Sequence, residues 1–136
     1  MTRVPARDDL SDGPPLARLK LRITFGEAAM FGPGKAELLE SIRDTGSISA
    51  AGRAMTMSYK RAWDLVEEMN AAFRDPLVTS TRGGPGGGGA VLTDAGQEVL
   101  RRFRSVEHAA TRAVQDDLNA LRSMLSASAG EPPSSD

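Results

Sequence analysis

The residues best placed to do chemistry in this sequence are cations. Between Arg53 and Arg61 stand Arg53, Lys60 and Arg61 with no acid among them, whereas Asp64, Glu67 and Glu68 follow at once. Positive side chains gathered at one end of a helix neutralise phosphates and reach base edges, so the pattern points to nucleic acid. Ser47 and Ser49 stand at the start of a preceding short helix, where exposed N–H groups and the positive dipole end suit a phosphate. Helix capping accounts for Ser47 equally well. Ser58, just before the basic pair, and Arg82, at the base of a glycine-rich loop, are secondary contacts. Tyr59 and Trp63 fit two readings: they pack, or their polar tips touch a phosphate.

Catalytic chemistry finds little support. The chain has no cysteine, which removes disulfides, thiol nucleophiles and thiolate metal sites together. His108, the single histidine, lies mid-helix between Glu107 and Ala109. Glu67 with Glu68, and Asp116 with Asp117, are neighbours in helices and diverge by about 100°, so they are solvated faces rather than acid/base couples. The run Gly83-Gly84-Pro85-Gly86-Gly87-Gly88-Gly89 lacks the Gly-Lys-Ser/Thr of a phosphate-binding loop and joins two short strands instead of a strand and a helix. As a wing tip, its glycines, Gly84 and Gly86 among them, let backbone approach a sugar-phosphate edge. No enzyme, metal or cofactor is expected.

These residues need a scaffold, and 136 residues with 40% apolar content supply one domain. Seventeen basic against 18 acidic side chains leave a net charge of −1, so any nucleic-acid affinity must come from local charge. No apolar run approaches the ~20 residues of a membrane span, and the first twenty lack a secretory signal. A cytoplasmic protein without a membrane partner is expected. Residues 1–17 and 126–136 read as disordered tails, rich in Pro, Gly, Asp or Ser.

Within the remainder, Leu19, Leu21, Ile23 and Phe25 alternate with polar residues as a half-buried strand. A first helix runs from Lys35 to the Thr45-Gly46 stop and a second, short one from the Ser47 cap to Ala54. In a third, Tyr59, Ala62, Val66, Met69 and Phe73 form one core-facing stripe, while Lys60, Arg61 and Asp64 lie away from it. Residues 77–81 and 90–92 form a hairpin around the glycine-rich loop. A helix capped by Thr93 then runs unbroken from Asp94 to about Leu125, roughly 45 Å long. Its stripe of Val99, Phe103, Val106, Ala110, Val114, Leu118, Leu121 and Leu125 outgrows so small a core. The same helix of a second copy is the expected cover, making the chain a homodimer.

Three helices followed by a hairpin with a glycine-rich tip is the order of a winged helix-turn-helix, whose third helix enters the major groove. The expected fold is α+β, mainly helical: a winged helix-turn-helix over residues 18–93 with a two-stranded wing, then a long C-terminal dimerisation helix over 94–125.

Thr45-Gly46-Ser47-Ile48-Ser49, Ser58-Tyr59-Lys60-Arg61-Ala62-Trp63-Asp64, Glu68-Met69-Asn70, and Gly83 through Thr93 with Gly96 together resemble the DNA-binding domain of the molybdate-responsive ModE family. The resemblance covers roughly residues 19–105. It implies a dimeric, LysR-like winged helix, joined through the first strand region and the long helix, that acts on operators of molybdenum transport or enzyme genes. Family members continue into molybdate-binding domains, whereas this chain ends in a Pro/Ser tail, so the oxyanion site is expected to be absent. Pro85 stands where several relatives carry a basic wing residue.

The leading expectation is a transcription factor that reads a two-fold operator on double-stranded DNA. Lys60 and Arg61 would supply the main contacts, with support from Ser47, Ser49, Arg53, Ser58, Tyr59, Arg82, Gly84 and Gly86. The alternative is a stand-alone interaction or small-ligand (oxyanion) sensing module that forms heterodimers with a full-length related regulator.

Overall fold

Gly32-Pro33 sets the first helix in place, because proline at the first helical position has its φ already fixed and lacks only an N–H that would be unpaired there. The structure, a computed structural model, describes residues 17, 19–27, 29–81 and 89–126. Arg82, Gly84, Gly86 and the rest of the wing tip lie outside the described residues, as do the two tails apart from Ala17 and Ser126. The elements are β1 (Ile23–Phe25), β2 (Ala29–Phe31), α1 (Pro33–Thr45), α2 (Ile48–Ala54), α3 (Tyr59–Ala72), β3 (Val78–Thr81), β4 (Gly89–Leu92), α4 (Asp94–Ala113) and α5 (Gln115–Ser123). Five helices among the described residues make the fold mainly helical, with two antiparallel two-stranded sheets, β1 with β2 and β3 with β4.

The described residues divide into two bodies, one of Lys20–Glu107 and a second that includes residues 108–126. In the first, the apolar face of α1 (Ala36, Leu38, Leu39, Ile42) meets Ile48 and Ala51 of α2 and Ala62, Leu65, Val66 and Met69 of α3. Leu77, Val78, Ala90 and Leu92 close it from the wing, and Leu100 and Phe103 from α4. Phe31 packs edge-to-face on Phe103, centroids 5.1 Å apart, and on Phe73 at 6.3 Å. Gly46 ends α1 in the left-handed region (φ 78°), and its carbonyl accepts from the Ala90 N–H at 2.9 Å, which fastens β4 to the end of α1.

Polar braces complete this body. Asn70 Oδ1 accepts from the N–H groups of Leu77 and Val78 (2.8 and 3.1 Å), and its amide donates to the Val78 carbonyl, so α3 holds the first wing strand. Lys35, only 6% exposed, donates to the Met30 carbonyl at 2.7 Å and to Glu68 at 2.6 Å. Arg104 grips both carboxylate oxygens of Glu40 (2.9 and 3.0 Å) and also Glu107, and the Glu40 carboxylate foremost holds the guanidinium above its usual pKa.

The structure corrects several expectations. The strand expected from Leu19 shrinks to Ile23–Phe25 and gains a partner, β2, in the register Ile23 to Phe31. The three residues of β2, set between Gly26-Glu27 and Gly32-Pro33, are too few to show a period. Phe103, expected at a dimer interface, is 3% exposed inside the core, and Val99 packs against that same core. The expected unbroken helix from Asp94 divides at Val114 (φ −114°, ψ 19°) into α4 and α5. Val114 keeps its own N–H on the Ala110 carbonyl at 3.2 Å, while the Gln115 side-chain amide donates to the Thr111 carbonyl at 3.3 Å.

Candidate nucleic-acid interface

Two caps build the helix-turn-helix. Ser47 Oγ accepts from the Ala50 N–H at 2.9 Å and starts α2; Ser58 Oγ accepts from the Arg61 N–H at 3.0 Å and starts α3. Between them the turn passes through Thr56, which adopts φ 55°. The Met57 N–H returns to the Gly52 carbonyl at 2.9 Å, closing the turn onto α2. Small residues on the facing sides, Ala51 and Gly52 against Ala62, bring the helices together.

That packing fixes which side chains face outward. With 3.6 residues per turn, the buried Ala62, Leu65, Val66 and Met69 occupy one arc of α3, and Lys60 and Asp64 stand opposite. Lys60 Nζ lies 3.0 Å from Asp64 Oδ2 with both side chains largely exposed. Arg61, on the flank, is exposed and makes no ion pair among the described residues. On α2, Arg53 is exposed and donates to Ser49 Oγ at 2.9 Å, one turn back on the same face. Ser47 and Ser49 are half-buried, and both hydroxyls are already engaged, Ser47 as a cap.

Tyr59 does not join the core stripe as expected: it is 56% exposed, because the first residue of α3 projects past the core. Its ring meets Trp63 edge-on, and Trp63 Nε1 donates to the Tyr59 hydroxyl, which keeps its own proton free to donate outward. Six of the expected contact residues therefore lie on α2, α3 or the cap between them, five of them exposed or capping the start of α3. Three i,i+4 couplings order the outer surface: Ser49 with Arg53, Tyr59 with Trp63, and Lys60 with Asp64. Sequence reading singled out the charges but not these couplings, although the spacing of four was there to find them.

A second polar region lies elsewhere on the same body. A cleft of about 530 Å³ is lined by Glu40, Arg43, Gln97, Glu98, Arg101 and Arg104 among others. Each arginine there is already paired: Arg43 with Asp44, Arg101 with Glu98, Arg104 with Glu40. Hydrogen bonds from Arg102, then Arg101, hold the Glu98 carboxyl below its ordinary pKa. Glu40, Asp94 and Glu98 line the cleft beside these arginines, so it offers less to an anion than the helix-turn-helix, where Arg53, Lys60 and Arg61 face one acid, Asp64. Among the described residues, no helix is long and apolar enough to cross a membrane.

Comparison with known proteins agrees with this geometry. Residues 34–97, from α1 into α4, match the family of bacterial regulatory helix-turn-helix proteins of the lysR family. The chain is 47% identical over 79 residues to the molybdenum-pterin-binding protein MopB of Rhodobacter capsulatus, covering 58% of this chain and 29% of that protein. It is 39% identical over 92 residues to the molybdenum transport protein ModE of Azotobacter vinelandii, covering 68% and 33%. It is 35% identical over 115 residues to the DNA-binding transcriptional dual regulator ModE of Escherichia coli, covering 82% and 44%. The chain spans less than half the length of each of these relatives. Residues 34–97 thus form a helix-turn-helix domain of the lysR family, within a chain of ModE-like sequence.

Proposed function

We propose that this chain binds double-stranded DNA as a homodimer and regulates transcription of molybdenum-related genes, acting in the cytoplasm where its operator DNA resides. The observation that carries the reading is the division of α3: its apolar arc is consumed by α1 and α2, and its opposite arc presents Lys60, with Arg61 beside it, to solvent. A helix held in this way enters the major groove by its N-terminal end while the preceding helix braces on the backbone. Arg53 and the start of α2 supply that brace, and the Tyr59 hydroxyl a further phosphate donor. The names of the relatives, a molybdenum transport protein and a transcriptional regulator, support the choice of genes. The reading invokes no cofactor and no catalytic step in this chain.

Two copies follow from the second body, where Leu118, Leu121 and Leu125 lie along α5 and its end without burial. The direct test replaces Lys60 and Arg61 together with Ala and titrates a selected DNA fragment in gel shifts at two salt concentrations. Affinity should fall tenfold or more and the salt slope should flatten, with the circular dichroism spectrum unchanged. Equal binding by both proteins at both salts would overturn the assignment.

A further inference from the structure

The exposed arc of α3 carries an acid as well as bases, and an acid there is costly. A carboxylate facing a duplex is repelled by phosphates, and once it is desolvated in a groove it needs a donor. Asp64 sits opposite the buried arc one turn into α3, with a largely exposed side chain. It is acceptor-only, and Lys60 at 3.0 Å uses one of its several acceptor positions. In the major groove the donors offered by bases are amino groups, and the pairing of an aspartate with the cytosine N4 amino group is geometrically favoured. Lysine pairs instead with the O6 and N7 acceptors of guanine. Four residues of helix rise about 6 Å, against about 3.4 Å between successive bases of a strand, so two side chains a turn apart address base pairs one to two steps apart.

We propose that Asp64 is a specificity-determining residue that accepts from a cytosine amino group, while Lys60, held beside it, takes the guanine of a base pair one or two steps away. The inference rests on the DNA-binding reading above and adds what the helix reads. Asp64 selects chiefly by rejection: any site without a donor opposite it leaves the carboxylate with Lys60 as its one donor against the phosphates, and the complex is weakened. Glu67, exposed a turn farther along, shares the charge but lies beyond the helix end that approaches the bases.

The test is selection from a random-sequence double-stranded DNA pool by the full chain and by D64A, D64N and E67A, followed by titration of the enriched and of random DNA. Wild type should enrich a cytosine one or two base pairs from a guanine in each half-site. D64A should keep the guanine, lose roughly tenfold of the cytosine preference, and bind random DNA more tightly than wild type. D64N, whose amide both donates and accepts, should shift that position to adenine. E67A should raise affinity for random DNA and leave the enriched sequence alone. The proposal is overturned if D64A enriches the wild-type sequence, or if E67A alters the same position equally. Failure of the wild type to enrich any sequence would overturn the DNA-binding reading and this proposal with it.

Discussion

Gly52 of α2 lies so close to Ala62 of α3 that a Cβ at position 52 would stand 3.2 Å from the Ala62 methyl, with the carbonyls of Met57 and Ser58 at 3.5 and 3.6 Å. The angle at which α3 leaves the domain is therefore set by the absence of a side chain. Gly52→Val places two further methyl groups in that gap. It should destabilise the domain by about 1–3 kcal/mol in urea unfolding. Below the unfolding transition, the folded variant should bind DNA more weakly than wild type, because α3 is pushed out of alignment. Wild-type stability would show that α2 and α3 separate at no cost.

Gly96 serves the wing in the same way but with less room. A Cβ there would meet the Leu77 carbonyl oxygen at 2.2 Å, and that oxygen already accepts from the Thr93 N–H at 2.9 Å. Thr93 Oγ1 donates to the Pro76 carbonyl and caps the Gly96 N–H at 2.9 Å. Backbone pinned on both sides cannot yield as a flexible side chain would. Gly96→Ala should therefore cost about 3 kcal/mol, read as a lowered urea midpoint with unchanged slope.

The helix-turn-helix was legible in the sequence because its boundaries are written in residues of specific chemistry: Gly46 for a left-handed stop, Ser47 and Ser58 for caps. Asp64 and the basic pair were legible as an outward face because helical periodicity assigns faces. Periodicity does not say what covers a face. Phe103 belongs to an apolar stripe in either case, and only the position of Phe31 in space shows that it is consumed by the core. Likewise β2 exists by virtue of its pairing with β1, and three residues hold no pattern of their own. Lys35 looks like a surface lysine until β2 and α3 bring the Met30 carbonyl and Glu68 to its ammonium.

That lysine yields a third prediction. Removing Glu68 leaves a buried ammonium with one carbonyl, whereas replacing Lys35 with Met removes the charge and its desolvation cost together. Glu68 is more than half exposed, so its loss is moderate. Glu68→Ala should cost about 1–2 kcal/mol, and Lys35→Met should stay within about 1 kcal/mol of wild type. Denaturant titration of the two variants checks the order; the reverse order would mean that the pair itself, and not the burial of its cation, governs stability.

The last prediction concerns the second body. Helix α5 has nine residues and buries none of them, although Leu121 is 60% exposed and Leu125, just past its end, 51%. A helix this short is marginal in water unless a partner covers its apolar side. Val114, Leu118, Leu121 and Leu125 are spaced by four, three and four, so they line one side of the segment, and a matching side on a second copy would cover it. Leu121→Asp places a charge in the middle of that row. Light scattering should then give the mass of one chain where wild type gives two, and far-ultraviolet circular dichroism should lose helical signal. DNA binding should fall by about 10²–10⁴-fold, since two half-sites can no longer be held by one particle. The Lys60, Arg61 double variant should stay dimeric while losing DNA, which separates assembly from recognition. A wild-type chain of single mass at micromolar concentration, or a Leu121→Asp chain that keeps double mass, would assign the leucine row to some other cover.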